Sequence, residues 1–381
     1  MIKGTSFLRE KNKRRLLAKV RELNETSRQE LVNLMGVSKN TVSLIVDELI
    51  NEGIIVEKGS KEPGLKGRPP IRIQINREGY RAIGFTFNQY ELKYIVVDYY
   101  GDTVEERTIN LNGTDHELVL SRITEIIESL IAKYKLIIGI GIGVPGIVDV
   151  DEKMILTSTS LNWKEVSFKK LNAFTVPIHI HNSVNMGGLD AMIRNGFVED
   201  EGIFYIRVGE GVGGSYLYGK EIIYGASWTA GEVGHISIDS QGPKCRCGQV
   251  GCLEMLINHR SVINKLKKEG IEIAMKGEDL FFTDEQLKSL SIQSVIGENG
   301  AYLGRALIQI IHLINPKYIL IDSSYNQFDV FSKQCEHMIN QHTLPASIRS
   351  TKITFENQRN SLCKGSALVA ILYYENYTNT I

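Results

Sequence analysis

The sequence predicts a basic, helical N-terminal module joined to a larger α/β body. Residues 1–80 hold 16 Lys and Arg against 10 Asp and Glu, whereas the remaining 301 residues hold 28 against 34. From Arg81 onward, strand-like and helix-like segments alternate, which is typical of layered α/β proteins. A chain of 381 residues is long enough for two or three domains. We therefore expect domains at residues 1–80 and 81–381.

Three helices are expected in the first eighty residues. The first covers about residues 8–23, with apolar residues at helical spacing. Ser27 and Glu30 have the spacing of a capping box for the second helix. Gly36 supplies the tight turn before a third helix over residues 39–51, because glycine adopts a positive φ without penalty. Helix, glycine-bearing turn and helix are typical of a helix-turn-helix DNA-binding domain.

The start of the third helix is suited to reading DNA. Recognition helices present their N-terminal residues to the major groove, where small polar side chains reach base edges and phosphates. The predicted contact residues are Ser38, Lys39, Asn40, Thr41 and Ser43.

Strand-like segments at 54–56 and 71–73 then flank a loop rich in Gly, Pro, Lys and Arg, which indicates a wing. Lys66 and Arg68 in this loop are expected to contact phosphates or the minor groove. A helical protein-interaction domain is the alternative.

The body carries the elements expected of two α/β halves with a cleft between them. The predicted strands are 83–87, 94–97, 136–144, 203–208, 216–218 and 318–321, and the predicted helices are 118–134, 301–314 and 363–374. A cleft between two such halves would suit a ligand.

A cysteine cluster in the body predicts a metal site. His235, Cys245, Cys247 and Cys252 have the spacing H-x9-C-x-C-x4-C. Three thiolates and one imidazole suit tetrahedral Zn²⁺, and a closed four-ligand site is structural. Reduced, unligated thiols are the alternative. Clustered cysteines without a secretory pattern or a long apolar run predict a cytoplasmic protein in a reducing compartment, with no membrane partner.

Three motifs occur in a set order along the body. They are GVPGIVD at 143–149, VGEGVGGSYLYGKEIIYGASWTAGEVGHI at 208–236 and CRCGQVGCLE at 245–254. With the N-terminal module they resemble the ROK family of repressors, open reading frames and kinases, and the resemblance covers the whole chain. It implies an actin-like, two-lobed body of the sugar-kinase and ribonuclease-H-like type, preceded by a winged helix-turn-helix domain. The architecture most resembles the xylose-repressor branch.

The resemblance also implies a sugar site between the lobes. The positions that match the family's sugar ligands are Asn182, Ser183, Glu232, His235 and Glu254. Amide and carboxylate groups suit neighbouring sugar hydroxyls. His235 is implied to bind zinc through one ring nitrogen and to face the sugar through the other. Trp163 is expected either to stack on the sugar or to belong to the core, and Ser160 replaces an asparagine that is common in relatives.

The kinase motifs of the family are degraded. Relatives that are kinases open with Asp-x-Gly-Gly-Thr, where this chain has Thr86, Phe87, Asn88, Gln89 and Tyr90. Ser183 replaces the catalytic Asp, and an alcohol cannot accept a proton at neutral pH. Glu210 replaces a hydroxyl residue in the second phosphate loop and would repel phosphate. Asp322 and Ser323 replace a Gly-Gly pair on the adenosine side. We expect no kinase activity and no ATP cofactor.

Together these features predict a sugar-responsive transcriptional repressor. A homodimer is expected to bind palindromic double-stranded operator DNA and to be released when a sugar inducer binds; pairing of dimers into tetramers stays open. Relatives use an Asp for a hexose hydroxyl where this chain has Ser183, which would either widen the range of sugars bound or suit a pentose such as xylose. Glucose, N-acetylglucosamine and a disaccharide also stay open. An active sugar kinase with a DNA-binding appendage and a repressor controlled by a protein partner are the alternatives.

Overall fold

The computed structural model describes residues 4–59, 71–197, 201–219 and 221–376. Its N-terminal part consists of α1 (Gly4–Leu23), β1 (Thr26–Ser27), α2 (Arg28–Met35), α3 (Lys39–Asn51), β2 (Ile55–Lys58) and β3 (Arg72–Ile75). Strand β3 pairs antiparallel with both β1 and β2. Three helices followed by a small sheet form the winged helix-turn-helix arrangement that the sequence predicts.

Local signals in the sequence set the ends of these helices. The Ser27 hydroxyl accepts a hydrogen bond from the Glu30 N–H, and the Glu30 carboxylate accepts one from the Ser27 N–H, so the predicted capping box is present. Gly36 has a φ of 65° at the end of α2. The Ser38 hydroxyl caps α3 by accepting from the Thr41 N–H. Each bond satisfies a helix-end group that would otherwise have no partner.

The first lobe of the body is built on a five-stranded sheet. Its elements are β4 (Arg81–Phe87), β5 (Glu91–Asp98), β6 (Thr103–Asn110), α4 (His116–Lys133), β7 (Ile137–Val144) and β11 (Ile178–Asn182), followed by α5 (Ser183–Arg194). A separate small sheet holds β8 (Ile147–Asp149), β9 (Met154–Ser158) and β10 (Trp163–Ser167). Helix α4 covers one face of the large sheet and closes a hydrophobic core there.

The second lobe repeats this plan. Its elements are β12 (Gly202–Val208), β13 (Val212–Tyr218), β14 (Glu221–Ile222), α6 (Leu253–Ile257), α7 (His259–Lys268), β15 (Ala274–Lys276), β16 (Asp279–Phe281), α8 (Asp284–Leu287), α9 (Leu290–Leu313), β17 (Tyr318–Ser323), α10 (Asp329–His342), α11 (Pro345–Ser350) and β18 (Lys352–Glu356). The strand orders are β6-β5-β4-β7-β11 and β14-β13-β12-β17-β18. In each sheet three antiparallel strands continue into two parallel ones, in agreement with the expected two-lobed actin-like body.

The last helix, α12 (Ser361–Glu375), returns to the first lobe and packs closely against it. A Cβ atom on Gly84 would lie 2.2 Å from the Cys363 carbonyl oxygen, and one on Gly141 would lie 1.8 Å from that of Ser366. On the helix itself, a Cβ atom on Gly365 would lie 1.7 Å from the Met186 carbonyl oxygen in α5. These glycines are therefore required for α12 to approach the sheet and α5 at backbone distance.

The elements that were not predicted from the sequence are those that lack a strong local pattern. Strand β6 (TVEERTIN) lies at a sheet edge, and most of its side chains are exposed, so no alternation of buried residues marks it. The hairpin of β15 and β16 was not predicted. Helix α9 begins at Leu290 rather than at residue 301, after the capping residue Ser289. None of the helices in the described ranges is both long and apolar enough to cross a bilayer.

The Gly365→Ala substitution tests the close packing of α12. We expect it to lower the free energy of unfolding by about 3 kcal/mol or more, because the new methyl group overlaps the Met186 carbonyl. Urea unfolding followed by circular dichroism measures this change. Gly59→Ala is the control, since nothing lies within 4 Å of a Cβ atom there. Equal stabilities for the two variants would contradict the packing described.

Candidate metal centre and ligand cleft

The four predicted metal ligands come together in space. One ligand atom from each of His235, Cys245, Cys247 and Cys252 lies within 4.8 Å of the others. The Cys245 Sγ is 3.6 Å from the His235 Nδ1, and the Cys247 Sγ is 3.5 Å from the Cys252 Sγ. A tetrahedral ion with bonds of ~2.3 Å separates its ligand atoms by about 3.6–3.8 Å. The cluster therefore fits one four-coordinate metal ion.

The loop that carries the cysteines is held by backbone contacts. Isolated bridges join Ser237 with Cys252 and Lys244 with Val250. Gly251 has a φ of 68°, and a Cβ atom on it would lie 1.6 Å from the Asp239 carbonyl oxygen. Glycine is thus required at this position for the loop to take the conformation that brings the thiols together.

His235 lies between the metal cluster and a pair of carboxylates. Its Nδ1 faces Cys245, while its Nε2 is 3.9 Å from a carboxylate oxygen of Glu232. Burial raises the pKa of the Glu232 carboxyl; His235 acts in the opposite direction, and the nearby charge of Glu254 raises the pKa further. One carboxylate oxygen of Glu254 accepts a hydrogen bond of 3.1 Å from the Val212 N–H. Three of the five predicted sugar ligands therefore lie beside the metal cluster.

The other two predicted sugar ligands lie at the start of α5. The Asn182 Oδ1 accepts hydrogen bonds from the N–H groups of Val184 and Asn185, and its Nδ2 donates to the Gly146 carbonyl. Asn182 thus caps α5, and one Nδ2 proton is left for a ligand. Ser183 is buried in the first turn.

Strand β13 supports both groups of predicted sugar ligands. A Cβ atom on Gly213 would lie only 2.9 Å from the Val184 side chain, so β13 packs closely on the start of α5. The Gly214 N–H donates to the Gly231 carbonyl, next to Glu232. The start of α5 and the segment that carries Glu232 therefore pack on adjoining parts of the same strand.

Trp163 belongs to the core of the first lobe. Its indole Nε1 donates a hydrogen bond of 3.0 Å to the Thr114 carbonyl, and its ring lies 5.4 Å from that of Phe87. Only 4% of the residue is exposed. Of the two predicted roles, this geometry agrees with the core role. The Ser160 hydroxyl lies within hydrogen-bonding distance of the Ser158 hydroxyl in the same loop.

Residues at the expected nucleotide positions are engaged in structural contacts. The Asn88 side-chain oxygen accepts hydrogen bonds from the N–H groups of Tyr90 and Glu91, so both backbone donors are already paired with this side chain. Asp322 is fully buried. Its carboxylate accepts hydrogen bonds from Tyr205 Oη, Ser361 Oγ and the Gln358 N–H, and it pairs with Arg207. Thr86 is buried within β4.

A mixed-charge cavity of about 480 Å³ lies between the lobes. The hairpin of β15 and β16 lines it, and Arg207 on β12 pairs with Asp279 of this hairpin at 2.8 Å. Glu278 of the hairpin and Glu91 of the first lobe also face it. Burial raises the pKa of Glu210 in the neighbouring loop, and the charge of Glu278 raises it further. None of the predicted sugar ligands is among the residues that line this cavity.

The residues predicted to contact DNA at the start of α3 differ in how exposed they are to solvent. Ser38, Lys39 and Asn40 are exposed, whereas Thr41 and Ser43 are half-buried. Leu44 is 63% exposed on the same helix and offers an apolar contact. Lys66 and Arg68 lie outside the described residues.

The chain thus has two parts. A winged helix-turn-helix fold precedes a duplicated α/β body that has the fold of sugar kinases and carries a His/Cys₃ cluster. The model of the ROK family matches residues 84–368. The chain belongs to the ROK family.

Three comparisons place the chain among its relatives. It is 30% identical over 368 residues to the xylose repressor of Caldicellulosiruptor bescii, covering 91% of this chain and 92% of that protein. A crystal structure of a ROK family transcriptional regulator, a homologue of the E. coli MLC protein, matches with a TM-score of 0.80 and 21% identity over 97% of each chain. The ROK glucokinase of Streptomyces griseus, solved with glucose and AMPPNP, matches with a TM-score of 0.62 and 18% identity, covering 76% of this chain and 98% of the kinase.

Proposed function

We propose that this protein is a sugar-responsive transcriptional repressor. The observation that carries the proposal is the combination of an exposed, polar recognition helix with a body in which Glu232, His235 and Glu254 gather beside a metal cluster. The similarity to a protein named as a xylose repressor extends along both parts of the chain and supports this reading.

DNA binding is assigned to the N-terminal turn of α3 and to the wing. Ser38, Lys39 and Asn40 enter the major groove, with Thr41 and Ser43 beside them. Lys66 and Arg68 of the wing bind phosphates or the minor groove. A homodimer places two α3 helices about one helical turn apart on a palindromic operator. The excess of basic residues in the first eighty positions favours this polyanionic partner.

The sugar binds beside the metal cluster. Glu232, Glu254 and the free edge of His235 hold neighbouring hydroxyls, and Asn182 contributes its remaining amide proton. Ser183 leaves more room than an aspartate would and suits a pentose such as D-xylose. Sugar binding shifts the population toward a conformation with lower affinity for DNA, so the genes are induced by release of the repressor.

Zinc is the metal that this donor set suits. His235, Cys245, Cys247 and Cys252 would hold Zn²⁺ as a closed, structural site. The bound ion would fix the loop over residues 235–252 and the orientation of the His235 ring. It would supply no reaction chemistry, because a closed site has no open position for substrate.

Kinase activity is not part of the proposal. Ser183 cannot act as a general base. The Asn88 side chain accepts hydrogen bonds from the backbone N–H groups that a phosphate loop would offer to phosphate. Glu210 adds negative charge where phosphate would bind. Glucokinase relatives share the fold, but the same fold carries several functions. No ATP is therefore required.

Glu232→Gln tests the sugar site. A thermal-shift screen of the zinc-loaded protein with D-xylose, glucose, N-acetylglucosamine and common disaccharides first identifies the sugar that stabilises it. We expect D-xylose to do so, and calorimetry to give an affinity about tenfold or more weaker in E232Q, since a charged hydrogen bond is lost. Glu221→Gln, on the exposed edge strand β14, is the control. An unchanged affinity in E232Q would contradict the assignment.

Cys247→Ser tests the link between metal and sugar. We expect wild-type protein to contain one zinc per chain, and the variant to lose zinc and bind the sugar about tenfold more weakly, because His235 is no longer oriented. Metal content by mass spectrometry and sugar affinity by calorimetry measure both effects. Arg246→Ala, in the same loop, is the control. A zinc-free variant with normal sugar affinity would show that the metal does not support the sugar site.

Asn40→Ala and Lys39→Ala test the recognition helix. A DNA duplex selected from a random pool on the full-length protein serves as the probe. We expect N40A to weaken binding by about 1–3 kcal/mol and to relax sequence preference, whereas K39A weakens binding to all sequences and reduces the salt dependence. Fluorescence anisotropy at several salt concentrations measures both. Lys267→Ala, on α7, should leave DNA binding unchanged; normal affinity in N40A and K39A would refute the assignment.

A further inference from the structure

The C-terminal end of α12 is fastened to the first helix of the DNA-binding part. Arg21 on α1 donates two hydrogen bonds, both of 2.7 Å, to the two carboxylate oxygens of Glu375. Only 14% of the Arg21 side chain and 5% of the Glu375 side chain are exposed. Arg14 donates to the Tyr374 carbonyl at 3.1 Å and lies 4.4 Å above the Tyr374 ring. A bidentate, buried pair has a narrow range of allowed geometries.

The opposite end of the same helix lies against α5, which begins at the predicted sugar ligands. Gly365 of α12 approaches the Met186 carbonyl in α5, and Gly187 of α5 approaches Leu362. Little space is left for α12 to move independently of α5. Asn182, the capping residue of α5, is therefore connected to α12 through this close packing.

One hydrophobic cluster joins these parts without interruption. It contains the cores of α1, α2 and α3 together with buried residues of α5 and α12. From α1 the contacts continue to the recognition helix. Lys13 forms ion pairs of 2.8 Å with Glu48 and Glu52 at the C-terminal end of α3.

We propose that α12 transmits the state of the sugar site to the recognition helix, with the Arg21–Glu375 pair as the joint between body and DNA-binding domain. This inference rests on the proposed function. The sugar changes the position of α5, α12 follows as a rigid body, and α1 and α3 turn with it. The connection is physical because α5 with α12 and α12 with α1 make buried contacts, and α1 and α3 share one buried hydrophobic cluster.

The chain segment between β3 and β4 is a weaker connection. Arg77 there pairs with Asp98 and Asp102, but 56% of its side chain is exposed, and exposed pairs contribute little. The Tyr100 hydroxyl donates to the Asn24 carbonyl at the surface. The buried contacts to α12 are therefore the better candidate for coupling.

Glu375→Gln tests the joint in the full-length, zinc-loaded protein. The selected DNA duplex and D-xylose are the probes, and anisotropy gives the ratio of DNA dissociation constants with and without saturating sugar. We expect a ratio of about tenfold or more in the wild type and about twofold or less in E375Q. The affinity for D-xylose without DNA should change less than about twofold, because Glu375 lies far from the sugar ligands along α12.

Three further variants make the test specific. The double exchange R21E/E375R should restore the ratio, because it rebuilds the pair with reversed charge. Glu105→Gln, on the edge strand β6, breaks a pair with Lys133 of α4, and it should retain the wild-type ratio because neither residue lies on α1, α5 or α12. R21K keeps the charge with one hydrogen bond and should give an intermediate ratio; it serves as the test if E375Q fails to fold.

The outcomes separate two claims. A wild-type ratio of one would contradict the proposed function with D-xylose. A wild-type response that persists unchanged in E375Q and R21K would overturn the role of α12 and leave the repressor function standing.

Discussion

Helix α12 can lie where it does only because the backbone positions that face it are glycines. Gly84 and Gly141 on the central strands, and Gly365 on the helix, allow main-chain atoms to approach at distances that any side chain would block. Such contacts are intolerant of movement, because interiors are packed at crystal-like density. The sheet, α5 and α12 therefore form one closely packed unit, on which the positions of the predicted sugar ligands at the start of α5 and of the N-terminal helices both depend.

In the cleft between the lobes, residues at the positions expected to bind nucleotide are engaged in structural contacts. Asp322 accepts hydrogen bonds from Tyr205 on β12, from the Gln358 N–H in the loop after β18 and from Ser361 at the start of α12, so it helps to hold the second lobe against that helix. Arg207 links Asp322 to Asp279 on the hairpin that lines the cavity. A buried carboxylate is costly unless it is fully paired. Here the pairing serves the fold, and we place the proposed sugar site elsewhere, beside the predicted metal ligands.

The features that the sequence predicted correctly are those determined by residues close together in the chain. The capping box of Ser27 and Glu30, the turn at Gly36 and the grouping of His235 with three cysteines were all recognisable, because each involves short spacing or fixed ligand chemistry. The ROK resemblance supplied the two-lobed body. The sugar ligands and the domain boundary at residue 80 stay predictions.

Other features depend on residues that are distant in the sequence. Arg21 and Glu375 are 354 positions apart, and no local pattern marks them as partners. Trp163 could be placed in the core only once Thr114 and Phe87 were beside it. Each strand of the hairpin of β15 and β16 has only three residues, which is too short for its sequence to show a helical or a strand period. Long-range packing, rather than propensity, determines these contacts.

The proposed function requires one chain to convert sugar binding into a change in DNA affinity. The most direct test is a titration of wild-type, zinc-loaded protein onto the selected duplex at increasing D-xylose, with the sugar's own affinity measured in parallel. The account predicts that DNA affinity falls along the same concentration range in which the sugar binds, because the two equilibria are linked. Undiminished DNA affinity at a sugar concentration that saturates the protein would contradict it.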